Sequence, residues 1–290
     1  MRSYARDCHQ HRQGLWPNNT WIFLRVRRGS YLLRGMKALL AALSIALALP
    51  AGAISDYDRE KRWSDQIVPS LMLGEAMWIE QANGHKFLSL YTEAEKPRGA
   101  LIVAHGRGWS PDYELYGILR AKLVERGYTT LAIQLPVLGG GAKIGDYLAT
   151  YPDAQERFDL AAKFLLAKGY TNIGIVSHSL GASMANQYLI NVSKTPVKAW
   201  AFVGIINGLE EMFRIKIPVL DVFGSKDWEI TQVGAYERKK QIDKVAGSEQ
   251  VVVKDALHFF EGREDELAQI LTDFMDRVFH GGNPASAATR

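Results

Sequence analysis

The stretch that decides the fold is Ile173-Gly174-Ile175-Val176-Ser177-His178-Ser179-Leu180-Gly181-Ala182. An apolar run leads into a serine flanked by the small residues Ser177 and Gly181, and the helix-forming segment 184–190 follows. This order predicts a strand, a one-residue turn and a helix. Such a turn holds Ser179 in a strained backbone conformation, with its hydroxyl above the end of a sheet. The helix that follows points unpaired N–H groups at the same place. The pattern is typical of a nucleophile elbow; the alternative is an ordinary turn in which the serine caps the helix.

The composition is that of a packed protein without a strong charge bias. The chain has 290 residues, of which 47% are hydrophobic, enough for one large domain or two small ones. The formal net charge is +4, but eight of the 35 basic residues and only one of the 31 acids lie in residues 1–53. The remainder therefore carries a net charge of −3. We expect no nucleic-acid partner.

The N-terminal region contains a segment typical of a secretory signal peptide. Residues 37–53 have a basic start, an apolar run and an Ala-Gly-Ala end. The run is shorter than the ~20 residues needed to span a bilayer. The residues before Met36 are either a long basic extension or the result of a start codon assigned too early, and Arg27-Arg28 leaves twin-arginine export as an alternative route. The lone cysteine, Cys8, precedes the signal, so we expect a periplasmic or secreted chain without disulfides and without a membrane span.

Alternating patterns after residue 75 predict an α/β fold. Asn83-Gly84 between two alternating segments predicts an antiparallel hairpin. Apolar runs and amphipathic helices then alternate, which predicts a mostly parallel sheet covered on both faces. We expect residues 54–74 to be irregular, 75–280 to form one domain and 281–290 to be a disordered tail. The expected strands are 75–81, 86–91, 100–104, 129–134, 172–176, 199–205, 218–223 and 250–253, and the expected helices are 113–126, 154–167, 183–191, 233–245 and 264–279.

This order of elements resembles the α/β-hydrolase superfamily over about residues 75–280. The resemblance rests on the hairpin, the alternation, the serine elbow after the fifth strand, and a later acid and histidine. Segments 103–106, 127–131 and 218–222 are similar to an exported bacterial family of unknown function, whose members often lack the elbow hydroxyl. The resemblance implies about eight strands with helices on both faces, and the chain order serine, acid, histidine.

Two residues are candidates to activate the serine. A serine hydroxyl needs an imidazole to take its proton and a carboxylate to orient that imidazole. The resemblance places the acid at Asp227, in the loop after strand 218–223, with Asp221 inside that strand as the reserve candidate. His258 follows the last strand, and residues 259–262 are similar to the histidine loop of dienelactone-hydrolase-like members. The alternatives are a turn aspartate and a structural histidine.

A second glycine-rich loop is the candidate oxyanion hole. His105-Gly106-Arg107-Gly108 follows the strand 101–104, where the fold supplies its second oxyanion donor. We expect the backbone N–H groups of Arg107 and Leu180 to be the two donors; the alternative is a plain glycine-rich turn. His178 is expected to point away from the serine. No phosphate loop, dinucleotide fingerprint or metal-ligand spacing is present, so no cofactor or metal is expected.

The connection between the strands near Ile205 and Pro218 is too short for a helical cap, which predicts an open cleft beside the loop 136–152. The leading hypothesis is an exported serine hydrolase, a carboxylesterase that acts on small soluble esters through an acyl-enzyme. The alternative is a non-catalytic binding or assembly protein of the bacterial envelope. The run 238–240 is interpreted as a solvated helix face. Candidate residues for the cleft lining are Trp109, Tyr113, Trp228 and Phe259.

Overall fold

A computed structural model describes residues 55–206 and 208–281. The predicted N-terminal extension and signal peptide, residues 1–53, lie outside the described residues, as do residues 282–290 of the predicted tail. Within the described ranges, no helix combines the length and apolar character needed to cross a membrane.

Eight strands form one open sheet in the order β1-β2-β4-β3-β5-β6-β7-β8. The first two pairings, β1 with β2 and β2 with β4, are antiparallel, and all later pairings are parallel. The predicted hairpin and mostly parallel sheet are therefore confirmed. The strands are β1 (Glu75–Glu80), β2 (Lys86–Thr92), β3 (Gly99–Ala104), β4 (Tyr128–Ile133), β5 (Ile173–His178), β6 (Val197–Val203), β7 (Val219–Gly224) and β8 (Glu249–Val253).

Helices cover both faces of the sheet and enclose two apolar cores. The helices are α1 (Tyr57–Ser70), α2 (Leu115–Glu125), α3 (Tyr151–Ala167), α4 (Leu180–Asn191), α5 (Glu229–Val233), α6 (Ala235–Ile242) and α7 (Glu264–His280). One core contains Phe158 of α3 and Tyr188 of α4, and the other contains Leu119 of α2 and Phe274 of α7. Because a buried parallel strand presents apolar residues to both sides, β3 contributes to both cores.

The prediction that the segment before the hairpin is irregular is wrong, because residues 57–70 form α1. The Asp56 side chain caps this helix by accepting a hydrogen bond from the Arg59 amide at 2.9 Å. Glu60 is buried, and its carboxylate pairs with the buried guanidinium of Arg157 at 3.0 Å. The helix thus buries polar groups that pair with the rest of the fold. A search for apolar residues at helical spacing therefore does not predict this helix.

The prediction of a single helix over residues 233–245 is also wrong. It is replaced by α5 and α6, which meet at Gly234. Arg238 of α6, interpreted from the sequence as part of a solvated face, is only 1% exposed. A Cβ at position 234 would lie 2.9 Å from a guanidinium nitrogen of Arg238, so glycine makes room for this buried side chain.

The connections at the carboxyl ends of the parallel strands contain no helical cap within the described residues. Apart from Asn207, the connection from β6 to β7 is described, and its one helical turn there is the short 3₁₀ segment Met212–Arg214. The loop after β4 contains a second 3₁₀ segment, Ile144–Thr150. The expected fold without a large cap is confirmed.

Candidate active site

Ser179 occupies the strained turn that the sequence predicts. The residue lies between the end of β5 and the start of α4. Its backbone has φ 54° and ψ −123°, a conformation that residues other than glycine rarely adopt. The Ser179 amide donates to the Val203 carbonyl at 2.9 Å, which ties the turn to the neighbouring strand. A Cβ at Gly181 would overlap with the carbonyl oxygen of His105, so the turn requires glycine two residues after the serine.

We expect Gly181→Ala to destabilise the fold by about 1–3 kcal/mol, because the added methyl group forces backbone atoms apart. Gly139→Ala is the matched control, since a Cβ at position 139 has no neighbour within 4 Å. The control should change the free energy of unfolding by less than about 0.5 kcal/mol. Urea denaturation of both variants measures the difference, and equal unfolding midpoints would contradict this description of the turn.

Ser177, which stands where a nucleophile elbow usually has glycine, has a structural partner. Its Oγ accepts a hydrogen bond from Nε1 of Trp200 on β6 at 2.8 Å, and both side chains are fully buried. The hydroxyl therefore satisfies an indole N–H in the core that a glycine would leave unpaired. The departure from the usual elbow sequence is compatible with the turn.

The structure brings the three predicted catalytic residues together. Nε2 of His258 lies 3.1 Å from Oγ of Ser179, and its Nδ1 lies 2.6 Å from Oδ1 of Asp227. All three side chains are buried, between 3% and 5% exposed. An ionised carboxylate only accepts hydrogen bonds, so Nδ1 carries the proton and Nε2 can accept from the serine hydroxyl. This is the arrangement that can take a proton from a nucleophile.

Asp221, the reserve candidate for the acid, has other partners. Its Oδ2 accepts from Nε of Arg238 and from Nε2 of Gln250, each at 2.8 Å. Burial raises the pKa of Asp221, and the guanidinium of Arg238 opposes that shift. None of its hydrogen bonds within the described residues reaches His258, so the geometry favours Asp227 as the orienting acid.

His178 borders the site, although none of its hydrogen bonds within the described residues reaches Ser179. Its ring borders the same cavity as Ser179. Nδ1 lies 2.9 Å from the Tyr116 hydroxyl, and Nε2 lies 2.9 Å from the backbone carbonyl oxygen of His258. Burial lowers the pKa of His178 to about 3, so the ring is neutral at physiological pH. The sequence carried no signal for these contacts, because their partners lie far away along the chain.

The loop after β3 approaches Ser179 closely. A Cβ at Gly106 would lie 3.1 Å from the Ser179 Cβ, which leaves little space for any other residue. The Gly106 amide donates to the Tyr116 hydroxyl at 2.8 Å. Within the described residues, the amides of Arg107 and Leu180 have no hydrogen-bond acceptor. Both are therefore available to an oxyanion, and their role as donors stays a prediction.

A cavity of about 190 Å³ lies over the serine. Trp228 stacks on the His258 ring, with centroids 3.6 Å apart and planes inclined by 15°. Tyr113, a predicted lining residue, stacks instead on Trp109 at 3.8 Å. A larger cavity, of about 610 Å³, lies between the Met212–Arg214 turn and α6. The smaller cavity is lined by Gly106, Arg107, Trp109, Tyr116, Ile144, His178, Ser179, Ile206, Trp228 and Phe259.

Comparison with known proteins identifies the fold. No protein-family model matches the chain, and no curated protein sequence matches it. Among solved structures, the chain is similar to a dienelactone hydrolase from Anabaena variabilis, with a TM-score of 0.57, 18% identity, and coverage of 70% of this chain and 96% of that one. The chain is also similar to an α/β serine hydrolase without a lid from Xanthomonas campestris, with a TM-score of 0.57 and 17% identity; the match covers 73% of this chain and 98% of that one. For an esterase from Pyrococcus furiosus the TM-score is 0.57 and the identity 16%, and the match covers 71% of this chain and 92% of that one.

These structural neighbours are a dienelactone hydrolase, an α/β serine hydrolase and an esterase, and the chain has their fold. The resemblance to the α/β-hydrolase superfamily is thereby confirmed at the level of fold. The similarity to an exported family of unknown function stays a prediction. At identities below 20%, the neighbours do not assign an activity or a site residue to this chain.

Proposed function

We propose that this protein is a serine hydrolase that cleaves carboxylic esters. The observation that carries the proposal is the hydrogen-bonded path from Asp227 through His258 to Ser179, with the serine in a strained elbow. Dienelactone hydrolase and esterases among the structural neighbours support the same class of reaction. A non-catalytic binding protein would not need this path.

Each step of the proposed reaction uses a group in the site. Oγ of Ser179 attacks the ester carbonyl carbon while Nε2 of His258 takes its proton, and Asp227 stabilises the resulting imidazolium. The Arg107 and Leu180 N–H groups bind the oxyanion. The C–O bond to the alcohol then breaks, and His258 returns the proton to the leaving oxygen. A water molecule, activated by the same imidazole, releases the acid and restores the serine.

The size of the cavity supports small substrates. A volume of about 190 Å³ holds roughly six groups the size of water, at ~30 Å³ each. Trp109, Phe259 and Ile206 line it, so it can bury a short apolar acyl group. We therefore propose small soluble esters as the substrate class. The signal-like segment 37–53 supports the further proposal that the enzyme is exported to the periplasm or secreted.

A series of p-nitrophenyl esters from C2 to C12 tests both the activity and the substrate size. Each buried CH₂ contributes ~0.8 kcal/mol, so kcat/KM should rise about fourfold per methylene while the cavity fills. We expect the rise to end at about C4 to C6, in line with the ~30 Å³ per group used above. Ile144→Ala enlarges the cavity from its partly exposed side and should move the optimum to longer chains. Continued improvement beyond C8 would contradict the small site.

A further inference from the structure

A row of buried hydrogen bonds connects two loops on either side of Ser179. The Gly106 amide donates to the Tyr116 hydroxyl at 2.8 Å, and that hydroxyl lies 2.9 Å from Nδ1 of His178. Nε2 of His178 lies 2.9 Å from the carbonyl oxygen of His258. We call these two side chains the Tyr116–His178 bridge. It joins the oxyanion loop, residues 105–108, to the histidine loop, residues 254–260.

Only one arrangement of protons satisfies the bridge. The carbonyl oxygen of His258 can only accept, so Nε2 of His178 must carry a proton. Because His178 is neutral, its Nδ1 accepts a hydrogen bond from the Tyr116 hydroxyl. The Tyr116 oxygen then accepts from the Gly106 N–H. Every donor along the row has an acceptor, and the direction is fixed from the oxyanion loop to the histidine loop.

The bridge is anchored on a helix and a strand, and it borders the cavity over Ser179. Tyr116 lies on α2 and is 1% exposed, and His178 lies at the end of β5 and is 3% exposed. The His178 ring packs against His258 and Phe259, with centroid distances of 4.6 and 5.2 Å. Each side chain bonds to two partners, so its removal leaves both partners without that hydrogen bond.

We propose that Tyr116 and His178 are positioning residues that hold the oxyanion loop and the histidine loop at a fixed separation around Ser179. The effect on turnover rests on the proposed function, whereas the effect on the loops does not. A misplacement of about 1 Å in reacting groups can lower a rate about 10²-fold, so the bridge influences kcat without touching the substrate carbonyl.

Tyr188 supplies a matched control for a purely structural role. It is also a buried tyrosine, and its hydroxyl bonds to Oγ1 of Thr195 at 2.6 Å. It lies nine residues along the chain from Ser179, on the same helix α4, which places it about 13 Å away along the axis. Tyr116→Phe and Tyr188→Phe therefore each remove one buried phenol hydroxyl, and only the first removal breaks the bridge.

The two variants should lose similar stability and differ in catalysis. We expect Tyr116→Phe to lower kcat by about 10- to 10²-fold, with KM changed by less than about twofold. Tyr188→Phe should leave both constants unchanged. Amide hydrogen exchange should become faster in residues 105–108 of Tyr116→Phe, which loses the bond to Gly106, and it should remain at the wild-type rate there in Tyr188→Phe.

Two substitutions of His178 separate the halves of the bridge. His178→Asn places an acceptor oxygen near the position of Nδ1 and loses the donor to His258, so exchange should increase in the histidine loop alone. His178→Gln places a donor near the position of Nε2, so exchange should increase in the oxyanion loop alone. The proposal is overturned if Tyr116→Phe matches Tyr188→Phe in kcat and loop exchange, or if the two His178 variants show no loop-specific difference. If the wild-type protein does not hydrolyse esters, the exchange data still decide the bridge, and only the proposed function fails.

Discussion

Ser179→Ala is expected to lower kcat for p-nitrophenyl acetate by about 10⁶-fold, because the variant lacks the oxygen that forms the acyl-enzyme. The strained backbone at position 179 holds that oxygen 3.1 Å from Nε2 of His258. Ser183→Ala removes a buried hydroxyl one turn further along α4, outside the cavity over Ser179, and should keep wild-type turnover. Initial rates corrected for spontaneous hydrolysis make the comparison. Turnover by Ser179→Ala within about tenfold of wild type would show that another group is the nucleophile.

Asp227→Asn should lower kcat by roughly 10⁴-fold with the fold intact. The carboxylate accepts the Nδ1–H of His258 at 2.6 Å, whereas an amide NH₂ in its place favours a proton on Nε2, where the serine proton must go. Turnover should therefore fall because the imidazole is held in the wrong tautomer.

Asp221→Asn is the matched control, since it makes the same chemical change six residues earlier, inside β7, the strand that precedes the Asp227 loop. Asp221 pairs with the buried guanidinium of Arg238, so its substitution leaves an unpaired buried cation. We expect a loss of about 3–5 kcal/mol in the free energy of unfolding. In the folded protein kcat should stay near the wild-type value. Activity that survives Asp227→Asn and collapses in folded Asp221→Asn would reverse the assignment of the acid.

The sequence was sufficient to predict the features that depend on neighbouring residues. The small residue at 181 predicts the elbow, and Asn83-Gly84 predicts the hairpin. The alternation of apolar runs and helices predicts the parallel sheet. Because the carboxyl ends of parallel strands meet at one edge of a sheet, loops after β5, β7 and β8 could be expected to converge there. Ser179, Asp227 and His258 do meet at that edge.

The features that the sequence did not reveal depend on polar groups whose partners are distant in the chain. Glu60 of α1 is buried because it pairs with Arg157, and Arg238 of α6 is buried because it pairs with Asp221. A hydrophobic period assigns such residues to solvent, since it takes no account of a charge neutralised by another element. The partners of His178 were not predictable either, because they reach it only after the sheet has formed.

Reaction with a fluorophosphonate probe tests whether Ser179 is an activated nucleophile, and it needs no knowledge of the substrate. We expect one adduct per chain on the peptide that contains Ser179. The adduct should be absent in Ser179→Ala and present in Ser183→Ala, and Asp227→Asn should be labelled much more slowly. We expect labelling of the folded wild-type protein between about pH 6 and 9. Absence of labelling over that whole range would contradict the claim and would favour a non-catalytic protein that keeps the scaffold.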